Sequence, residues 1–453
     1  MKLESDREKE KERAEKERRA GDPPKYLNEE FFKAALEDGL RDMRVDIKKI
    51  IFAESSGGGG ENYCSKIYRA RALYRSSKRQ LDEELAMIVK SIAITPATQF
   101  LEELAVYLRE KIFYFDVLGK LEVLIGDGSK FGAKCLYTTR EPIQTIVFDD
   151  LTQYGYKLAS RQSGLNEEHC VVILKKLGKF HASSMLLAQK VSCLWSCLSV
   201  VPLALSFFHP SVQEPSVREH FTSGMLDENY IRTNERFITF MALQLRTLAN
   251  LVAKWPGYEL LSDKLHRHCD NIKENLVTTG RSLPGEITVL NHGDLWVNNF
   301  MYKYDDEQPT KPIDAIFVDF QNSFFGSPGC DINFFLNSSV QLDVLIHRRE
   351  FLIQTYYGAL RESLERMHYE RVPSYTDIQQ EIRARELYGF FSSYAFLPMV
   401  TMKKEDSYDI SIEALSDPDF AKTKVQLMFS SNPRTTDTLR YALRRFDELG
   451  IFD

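Results

Sequence analysis

The chain is organised around the stretch His-Gly-Asp-Leu-Trp-Val-Asn-Asn at positions 292–299. This stretch places an acid at Asp294 and an amide five residues later at Asn299. An apolar run at positions 315–318 then ends in a second acid, Asp319. Hard divalent cations such as Mg²⁺ take oxygen ligands, and in phosphate sites one or two protein groups hold them together with the phosphates. The three residues therefore offer ligands for one cation and leave a carboxylate to spare.

The spacing His-x-Asp-x-x-x-x-Asn, followed by a strand-end Asp, is typical of phosphotransferases of the kinase type. In that arrangement the carboxylate that does not bind the metal accepts the proton of the attacking hydroxyl. We assign this role to Asp294 and predict that Asn299 and Asp319 bind Mg²⁺. Taken alone, the His-Gly-Asp segment is more often an ordinary turn and the strand-end Asp319 is more often a cap, because short motifs match by chance. Their combination in this order favours the phosphotransferase.

The length, net charge and cysteine pattern of the chain argue against several classes of protein. The chain has 453 residues, which exceeds one typical core and predicts two lobes. Its net charge of −6 argues against a nucleic-acid surface, and no apolar run reaches transmembrane length. The seven cysteines are scattered without C-x-x-C pairs, which is typical of reduced thiols. We expect a cytoplasmic protein without nucleic-acid or membrane partners.

Residues 1–27 begin as a run of Lys, Arg, Glu and Asp with almost no apolar side chains. Such a run can form i,i+4 charge pairs but cannot bury a face. We therefore predict a solvated, disordered tail in preference to a docking helix.

A nucleotide-binding N-terminal lobe is predicted for residues 28–151. Strands are expected at 45–53, 66–74 and 84–91, with four consecutive glycines between the first two. Glycines let a backbone approach phosphate oxygens and present N–H groups to them, although such a run alone is more often a flexible linker. The residues of this turn that we expect at the nucleotide are Gly58, Gly59, Gly60, Asn62 and Ser65.

Lys90 stands near the end of the third predicted strand and precedes a helix predicted from Pro96 to Phe115. Kinases place in this order the lysine that contacts the α- and β-phosphates. A glutamate of the helix should pair with Lys90, and we favour Glu110 over Glu103, which lies seven residues earlier on nearly the same face.

Two further strands are predicted at 131–138 and 145–148, and the acids after them mark the position expected for an adenine-binding hinge. We assign Asp149 and Leu151 to this hinge. Residues 152–453 are predicted to form a mainly helical lobe for catalysis and substrate binding. Its expected helices include 169–188 and an aromatic-rich helix at 386–402, which is either core or a pocket wall. Asp331 is predicted as a helix N-cap. The fold class is therefore α+β.

Taken together, these motifs resemble the ecdysteroid kinase-like family of the aminoglycoside and choline kinase group, which has a protein-kinase-like fold. The resemblance rests on Gly60-Glu61-Asn62-Tyr63, Ser65, Tyr68-Arg69, Val89-Lys90, Glu110, Phe113-Tyr114, 148–151, 179–183, 292–299, 318–321 and 327–331. It implies ATP- and Mg²⁺-dependent phosphorylation of a hydroxyl on a small molecule, with ecdysteroids as the named substrate class. It also implies that Asp294 is the base, that Asn299 and Asp319 bind metal, and that Lys90 and Glu110 order the phosphates.

Several alternatives remain open at this stage. A choline- or ethanolamine-type kinase is the nearest enzyme alternative, and a catalytically weak hormone-binding pseudokinase is the alternative from another class. A protein kinase is disfavoured because Gly293 follows the histidine where typical protein kinases have arginine. The helices rich in Phe, Tyr, Leu and Met favour an apolar alcohol such as an ecdysteroid or a hydroxylated xenobiotic. We infer no protein partner and expect a monomer.

Overall fold

The computed structural model of the protein describes residues 23–53, 65–79, 81–96, 98–198, 219–407, 409–411 and 414–453. These residues divide into two compact units. The first unit contains the described residues up to Thr95 together with Ala133–Tyr154, and the second contains those of Pro96–Gly132 and Gly155–Asp453. The charged tail lies almost wholly outside the described residues. The domain boundaries predicted from the sequence stay predictions.

The first unit is built on an antiparallel sheet with the strand order β1-β2-β3-β5-β4. Its strands are β1 (Val45–Phe52), β2 (Lys66–Ser76), β3 (Asp82–Ile92), β4 (Cys135–Thr139) and β5 (Gln144–Asp149). In β2, every second side chain from Ala70 onward is buried, because successive residues of a strand point to opposite faces. Helix α1 (Glu29–Leu40) covers this buried face with Phe32 and Leu36.

The three strands predicted around the glycine run are confirmed as β1, β2 and β3. The strand predicted at 131–138 begins only at Cys135. Phe131 and Gly132 belong to the second unit, where Gly132 forms a parallel bridge with Phe317. The prediction was wrong there because an apolar segment that crosses between units has the same local pattern as a strand.

The helix predicted from Pro96 to Phe115 is interrupted. It consists of α2 (Phe100–Glu103), α3 (Val106–Ile112), a π-helical turn (Phe113–Val117) and α4 (Leu118–Ile125). The break occurs at Ala105, whose φ of 51° lies in the left-handed region and cannot continue a right-handed helix. Glu103 and Glu110 consequently differ in burial: Glu103 is exposed, whereas Glu110 is 1% exposed.

The second unit is mainly helical. Its longer helices are α5 (Glu167–Leu198), α7 (Glu235–Val252) and α11 (Leu342–Arg366). The other helices are α6 (Glu228–Thr233), α8 (Glu259–Asp270), α9 (Ile272–Gly280), α10 (Gly329–Ser338), α12 (Tyr375–Ala384), α13 (Glu386–Ala395), α14 (Leu397–Thr401), α15 (Lys404–Ser407), α16 (Pro418–Ser430) and α17 (Pro433–Glu448). Helix α5 passes close to α11 at Gly178, where a Cβ atom would lie 2.7 Å from the carbonyl oxygen of Tyr356. The helix predicted at 169–188 is confirmed within α5, and none of the described helices is both long enough and apolar enough to cross a membrane.

The aromatic-rich helix predicted at 386–402 is divided into α13 and α14. Pro398 stands in the first turn of α14, a position where its missing N–H costs nothing. Two small sheets complete the second unit: β7 (Val289–Asn291) pairs with β10 (Phe324–Gly326), and β8 (Phe300–Tyr304) pairs with β6 (Tyr156–Leu158) and β9 (Pro312–Phe317). The antiparallel sheet of the first unit and the helical second unit confirm the predicted α+β class.

Candidate active site

The predicted catalytic and metal-binding residues all lie in connections between strands of the second unit. Asp294 follows β7, and Asn299 ends a 3₁₀ turn immediately before β8. Asp319 follows β9 by two residues and adopts φ 66° and ψ 66°, a left-handed conformation that is uncommon for residues other than glycine. Three oxygen-bearing side chains therefore lie where these strands begin or end.

Hydrogen bonds bring these three segments together. The Nδ2 of Asn299 donates to the carbonyl oxygen of Asp294 at 2.8 Å. The N–H of Val318, the residue before Asp319, donates to the carbonyl oxygen of Asn299 at 2.9 Å. The sequence motif is thus one local cluster in space, and the catalytic and metal-binding roles of its members stay predictions.

His292 also links the segments that carry Asp294 and Asp319. It is fully buried, and its Nε2 lies 3.0 Å from the carbonyl oxygen of Val318. The N–H of Asp294 donates to its Nδ1 at 3.3 Å. This pair of partners fits the neutral tautomer that carries its proton on Nε2. Burial lowers the pKa of His292, which favours the same neutral form.

Asp331 supports the loop that carries Asp294. Its carboxylate accepts the N–H groups of His292 at 2.7 Å and Gly293 at 2.9 Å. His181 also contacts it, with Nε2 at 3.2 Å, and the other ring nitrogen of His181 lies 2.8 Å from the hydroxyl of Tyr356. The predicted N-cap position of Asp331 was wrong. Pro328 caps helix α10, and Asp331 lies within its first turn because the helix begins at Gly329.

Gly293 allows the loop to turn tightly. Its φ is 81°, and a Cβ atom at this position would lie 2.0 Å from the carbonyl oxygen of Asn322. Any side chain would therefore collide with rigid backbone and would also adopt an unfavourable conformation. The glycine between His292 and Asp294 is thus required by the geometry of the loop.

The electrostatics of the cluster favour a cation. Burial, and then the nearby negative charge of Asp319, raise the pKa of Asp294 to about 7. Its Oδ1 is buried and has no hydrogen-bond partner among the residues that the structure describes. Two carboxylates and an amide are hard oxygen ligands, and a bound Mg²⁺ would offset the repulsion between the acids. The residues present therefore fit this ion, although the described residues contain no group of three or more His, Cys, Asp or Glu that could hold a metal.

The predicted nucleotide-binding residues are divided between the two units. Gly58, Gly59, Gly60 and Asn62 lie outside the described residues, and Ser65 directly precedes β2. Lys90 is 5% exposed and faces Ile146 of β5 in the sheet register. Ser65 therefore lies just before β2, and Lys90 lies on β3, the strand that pairs with β2.

The two predicted hinge residues lie at the end of β5. Asp149 accepts the N–H of Lys134 at 2.6 Å, and burial raises the pKa of its carboxyl group. Leu151 is buried and begins a 3₁₀ turn that ends at Tyr154. The carboxylate of Asp149 is therefore engaged with backbone, and a nucleotide role for these two residues stays a prediction.

Glu110 lies in helix α3 of the second unit. Glu110 is buried and Glu103 is exposed, and the pairing of Lys90 with either glutamate stays a prediction. Sequence reasoning missed its neighbour Arg109, whose Nη2 donates to the carbonyl oxygens of Ser223, at 2.6 Å, and Ser323. Arg109 therefore ties α3 to the segment that follows Asp319.

A stack of rings adds to this connection. Phe113 lies parallel to Phe320 with 3.8 Å between the ring centroids, and Phe320 also contacts the imidazole of His292 at 4.9 Å. Phe320 directly follows Asp319, and His292 lies two residues before Asp294. Aromatic packing therefore joins the first helices of the second unit to the segments that carry Asp294 and Asp319. The local sequence gives no signal for this contact, because it joins residues far apart in the chain.

The sequence model of the ecdysteroid kinase-like family matches residues 59–196 and 204–369. The chain belongs to this family. The matched residues include Lys90, Glu110, Asp294, Asn299 and Asp319. Membership supports a small-molecule kinase and confirms the resemblance predicted from the sequence motifs.

Other comparisons add less. A search of curated proteins gave no significant match. Among solved structures, this chain is similar to a chain described as glucosamine kinase (crystal form A). The two share 13% sequence identity and a TM-score of 0.28, and the match covers 83% of this chain and 96% of that chain.

Proposed function

We propose that the protein is an ATP- and Mg²⁺-dependent kinase that phosphorylates a hydroxyl of an apolar alcohol, such as an ecdysteroid or a hydroxylated xenobiotic. Family membership supports the kinase class. The observation that carries the proposal is the cluster of Asp294, Asn299 and Asp319. In this cluster the buried carboxylate of Asp294 lies near a second acid, and its Oδ1 has no hydrogen-bond partner among the described residues. Such a carboxylate suits a general base near neutral pH.

In this proposal Asp294 orients the acceptor hydroxyl and takes its proton. Asn299 and Asp319 would hold Mg²⁺, which when bound with ATP neutralises charge on the transferred phosphoryl group. Because Nδ2 of Asn299 donates to the Asp294 carbonyl, the Oδ1 atom of Asn299 is the one that remains for a cation. His292 and Asp331 fix the loop through the backbone and thereby hold the carboxylate of Asp294 in place.

The nucleotide would bind through residues of the first unit and Glu110. Lys90 would contact the α- and β-phosphates, and the glycine-rich turn with Gly58, Gly59, Gly60, Asn62 and Ser65 would cover them. Asp149 and Leu151 would border the adenine. Lys90 is 5% exposed, which disfavours the alternative that it is an ordinary solvated lysine at a strand edge.

We also propose that the protein acts in the cytoplasm as a monomer. The described cysteines Cys135, Cys170, Cys269 and Cys330 are free thiols, as expected in a reducing compartment. Size-exclusion chromatography with light scattering tests the oligomeric state, and a dimer mass would contradict the monomer.

The substrate class is tested by incubating the protein with ATP, Mg²⁺ and single alcohols, followed by mass detection of a phosphorylated product. The panel contains ecdysone, a hydroxylated xenobiotic, choline and ethanolamine. Phospho-ecdysone or a phosphorylated xenobiotic supports the proposal. Efficient turnover of choline alone would favour the choline-type alternative, and hormone binding without any product would favour the pseudokinase.

A further inference from the structure

A buried arginine of α3 has no part in the catalytic roles proposed above. Arg109 is 6% exposed, and its Nη2 donates to the carbonyl oxygens of Ser223, at 2.6 Å, and Ser323. Its Cζ lies 5.9 Å from the centroid of the Phe221 ring. Burial lowers the pKa of Arg109 to about 10, so its guanidinium remains charged at neutral pH. The second unit therefore holds a buried cation that donates to backbone carbonyls.

Packing alone does not explain a guanidinium at this position. The Nε of Arg109 is buried and has no hydrogen-bond partner among the described residues. Removing a charged group from water is unfavourable, and a well-packed apolar side chain of similar volume often fills such a position at lower cost. The segments that Arg109 holds together are therefore the better indication of its role.

Ser323, one of the two acceptors, connects the two acidic segments. It directly follows the 3₁₀ turn Phe320–Asn322, which begins immediately after Asp319. The hydroxyl of Ser323 donates to the carbonyl oxygen of His292 at 3.3 Å, while its own carbonyl accepts the hydrogen bond from Arg109. Arg109 therefore fixes the residue that joins the turn after Asp319 to the loop of His292.

The backbone of Asp319 requires such support. Its φ of 66° and ψ of 66° are unfavourable for a residue with a side chain, and such a conformation persists only where surrounding contacts enforce it. On the N-terminal side, the N–H of Val318 donates to the carbonyl oxygen of Asn299 at 2.9 Å. On the C-terminal side, Arg109 holds Ser323. Loss of the guanidinium would release this second end and allow Asp319 to leave its left-handed conformation.

We propose that Arg109 is a positioning residue for the metal site, and that it acts through Ser323 to hold Asp319 in the conformation that binds Mg²⁺ together with ATP. This inference rests on the proposed function, in which Asp319 is a metal ligand. Helix α3 also carries Glu110, so one helix would supply a residue for ordering the phosphates and a residue that fixes the metal ligand.

The experiment measures binding of the non-hydrolysable ATP analogue AMPPNP to the full-length protein by isothermal titration calorimetry. Each protein is titrated once with Mn²⁺ in place of Mg²⁺ and once with EDTA. The ratio of the two affinities is the metal enhancement of nucleotide binding, and it requires no acceptor alcohol. The proteins are wild type, Arg109→Met, the control Arg161→Met, and Asp319→Ala, which gives the value expected when the metal ligand is lost.

Arg161 is a matched control within the same unit. It is also 6% exposed, and its Nη1 donates to the carbonyl oxygens of Met399 at 3.2 Å and Val400 at 2.9 Å. Both substitutions therefore remove a buried guanidinium from backbone carbonyls, but these acceptors of Arg161 lie in α14. Urea unfolding of both variants verifies that each is folded and compares their losses of stability.

We expect Arg109→Met to lower the metal enhancement by about fivefold or more and to leave the affinity in EDTA unchanged. Arg161→Met should show the enhancement of wild type even where it loses as much stability. A wild-type enhancement in Arg109→Met, or an equal loss in Arg161→Met, would overturn the inference and leave the proposed function standing. If wild type binds AMPPNP no better with Mn²⁺ than in EDTA, the metal role of Asp319 in the proposed function fails first.

A second pair of variants covers the case in which a methionine variant does not fold. Arg109→Lys and Arg161→Lys keep the positive charge, but the lysine ammonium ends closer to the backbone than Nη2 and lacks the planar fork of arginine. The metal enhancement should fall in Arg109→Lys and not in Arg161→Lys. Equal enhancement in these two variants would also overturn the inference.

Discussion

The Nε2 atom of His292 lies 3.0 Å from the carbonyl oxygen of Val318, so the segment that precedes Asp294 is bonded directly to the segment that precedes Asp319. The opposite ring nitrogen accepts the N–H of Asp294. One neutral imidazole therefore bonds to both segments and helps to set the separation between the proposed base, Asp294, and the proposed metal ligand, Asp319.

Replacing His292 should impair catalysis without a matching loss of nucleotide binding. In His292→Ala the Val318 carbonyl and the Asp294 N–H lose their partner, and misplacement of Asp294 by a fraction of an ångström should lower kcat about 10- to 100-fold. ATP affinity, measured by isothermal titration, should change little. The exposed His347→Ala serves as the control. An unchanged kcat in His292→Ala would show that the imidazole does not position the base.

Gly293→Ala should be strongly destabilising. The added Cβ would meet the carbonyl oxygen of Asn322 at 2.0 Å, and the residue would keep a positive φ. We expect urea unfolding to show a loss of more than about 2 kcal/mol. Gly358→Ala is the matched control, because Gly358 lies inside α11 and, apart from its chain neighbours and the backbone of its own helix, no atom of the described residues lies within 4 Å of its Cβ position. That change should stabilise the protein by about 0.5–1 kcal/mol, and equal effects of the two substitutions would contradict the tight loop.

His268 should make folding stability depend on pH. Its ring contacts Phe390 and Phe452 at centroid distances of 5.3 and 6.2 Å, and burial lowers its pKa to about 4. The unfolded chain binds a proton near pH 6.5, whereas the folded chain resists it until about pH 4. The stability provided by the neutral ring is therefore complete above pH 6.5 and is lost as the pH falls toward 4.

The test compares urea unfolding of wild type and His268→Gln at pH 7 and pH 4.5. Wild type should lose about 1–3 kcal/mol more than the variant over this interval. His347→Gln, which changes an exposed histidine, should follow wild type. Parallel pH profiles for wild type and His268→Gln would show that the ring is not buried in its neutral form.

The sequence predicted the elements whose signals are local. Alternating side chains identified β1, β2 and β3, and the spacing of Asp294, Asn299 and Asp319 identified a set of residues that the second unit brings together. The family resemblance was confirmed by the match over most of the chain.

Features that depend on distant contacts were missed or wrong. Ala105 interrupts the helix that begins near Phe100 although alanine favours helices, because tertiary packing can override intrinsic propensity. Asp331 resembles a cap in sequence, and only the folded chain brings its carboxylate to His292 and Gly293.

The role of Asp294 as the base is tested most directly by single-turnover kinetics of Asp294→Asn with whichever alcohol wild type phosphorylates. The substitution keeps the size of the side chain and removes the proton acceptor, so the phosphoryl-transfer rate should fall about 10²- to 10⁴-fold while ATP affinity stays within about threefold. Asp306→Asn, at an exposed position, should behave as wild type. A transfer rate in Asp294→Asn equal to that of wild type would contradict the account.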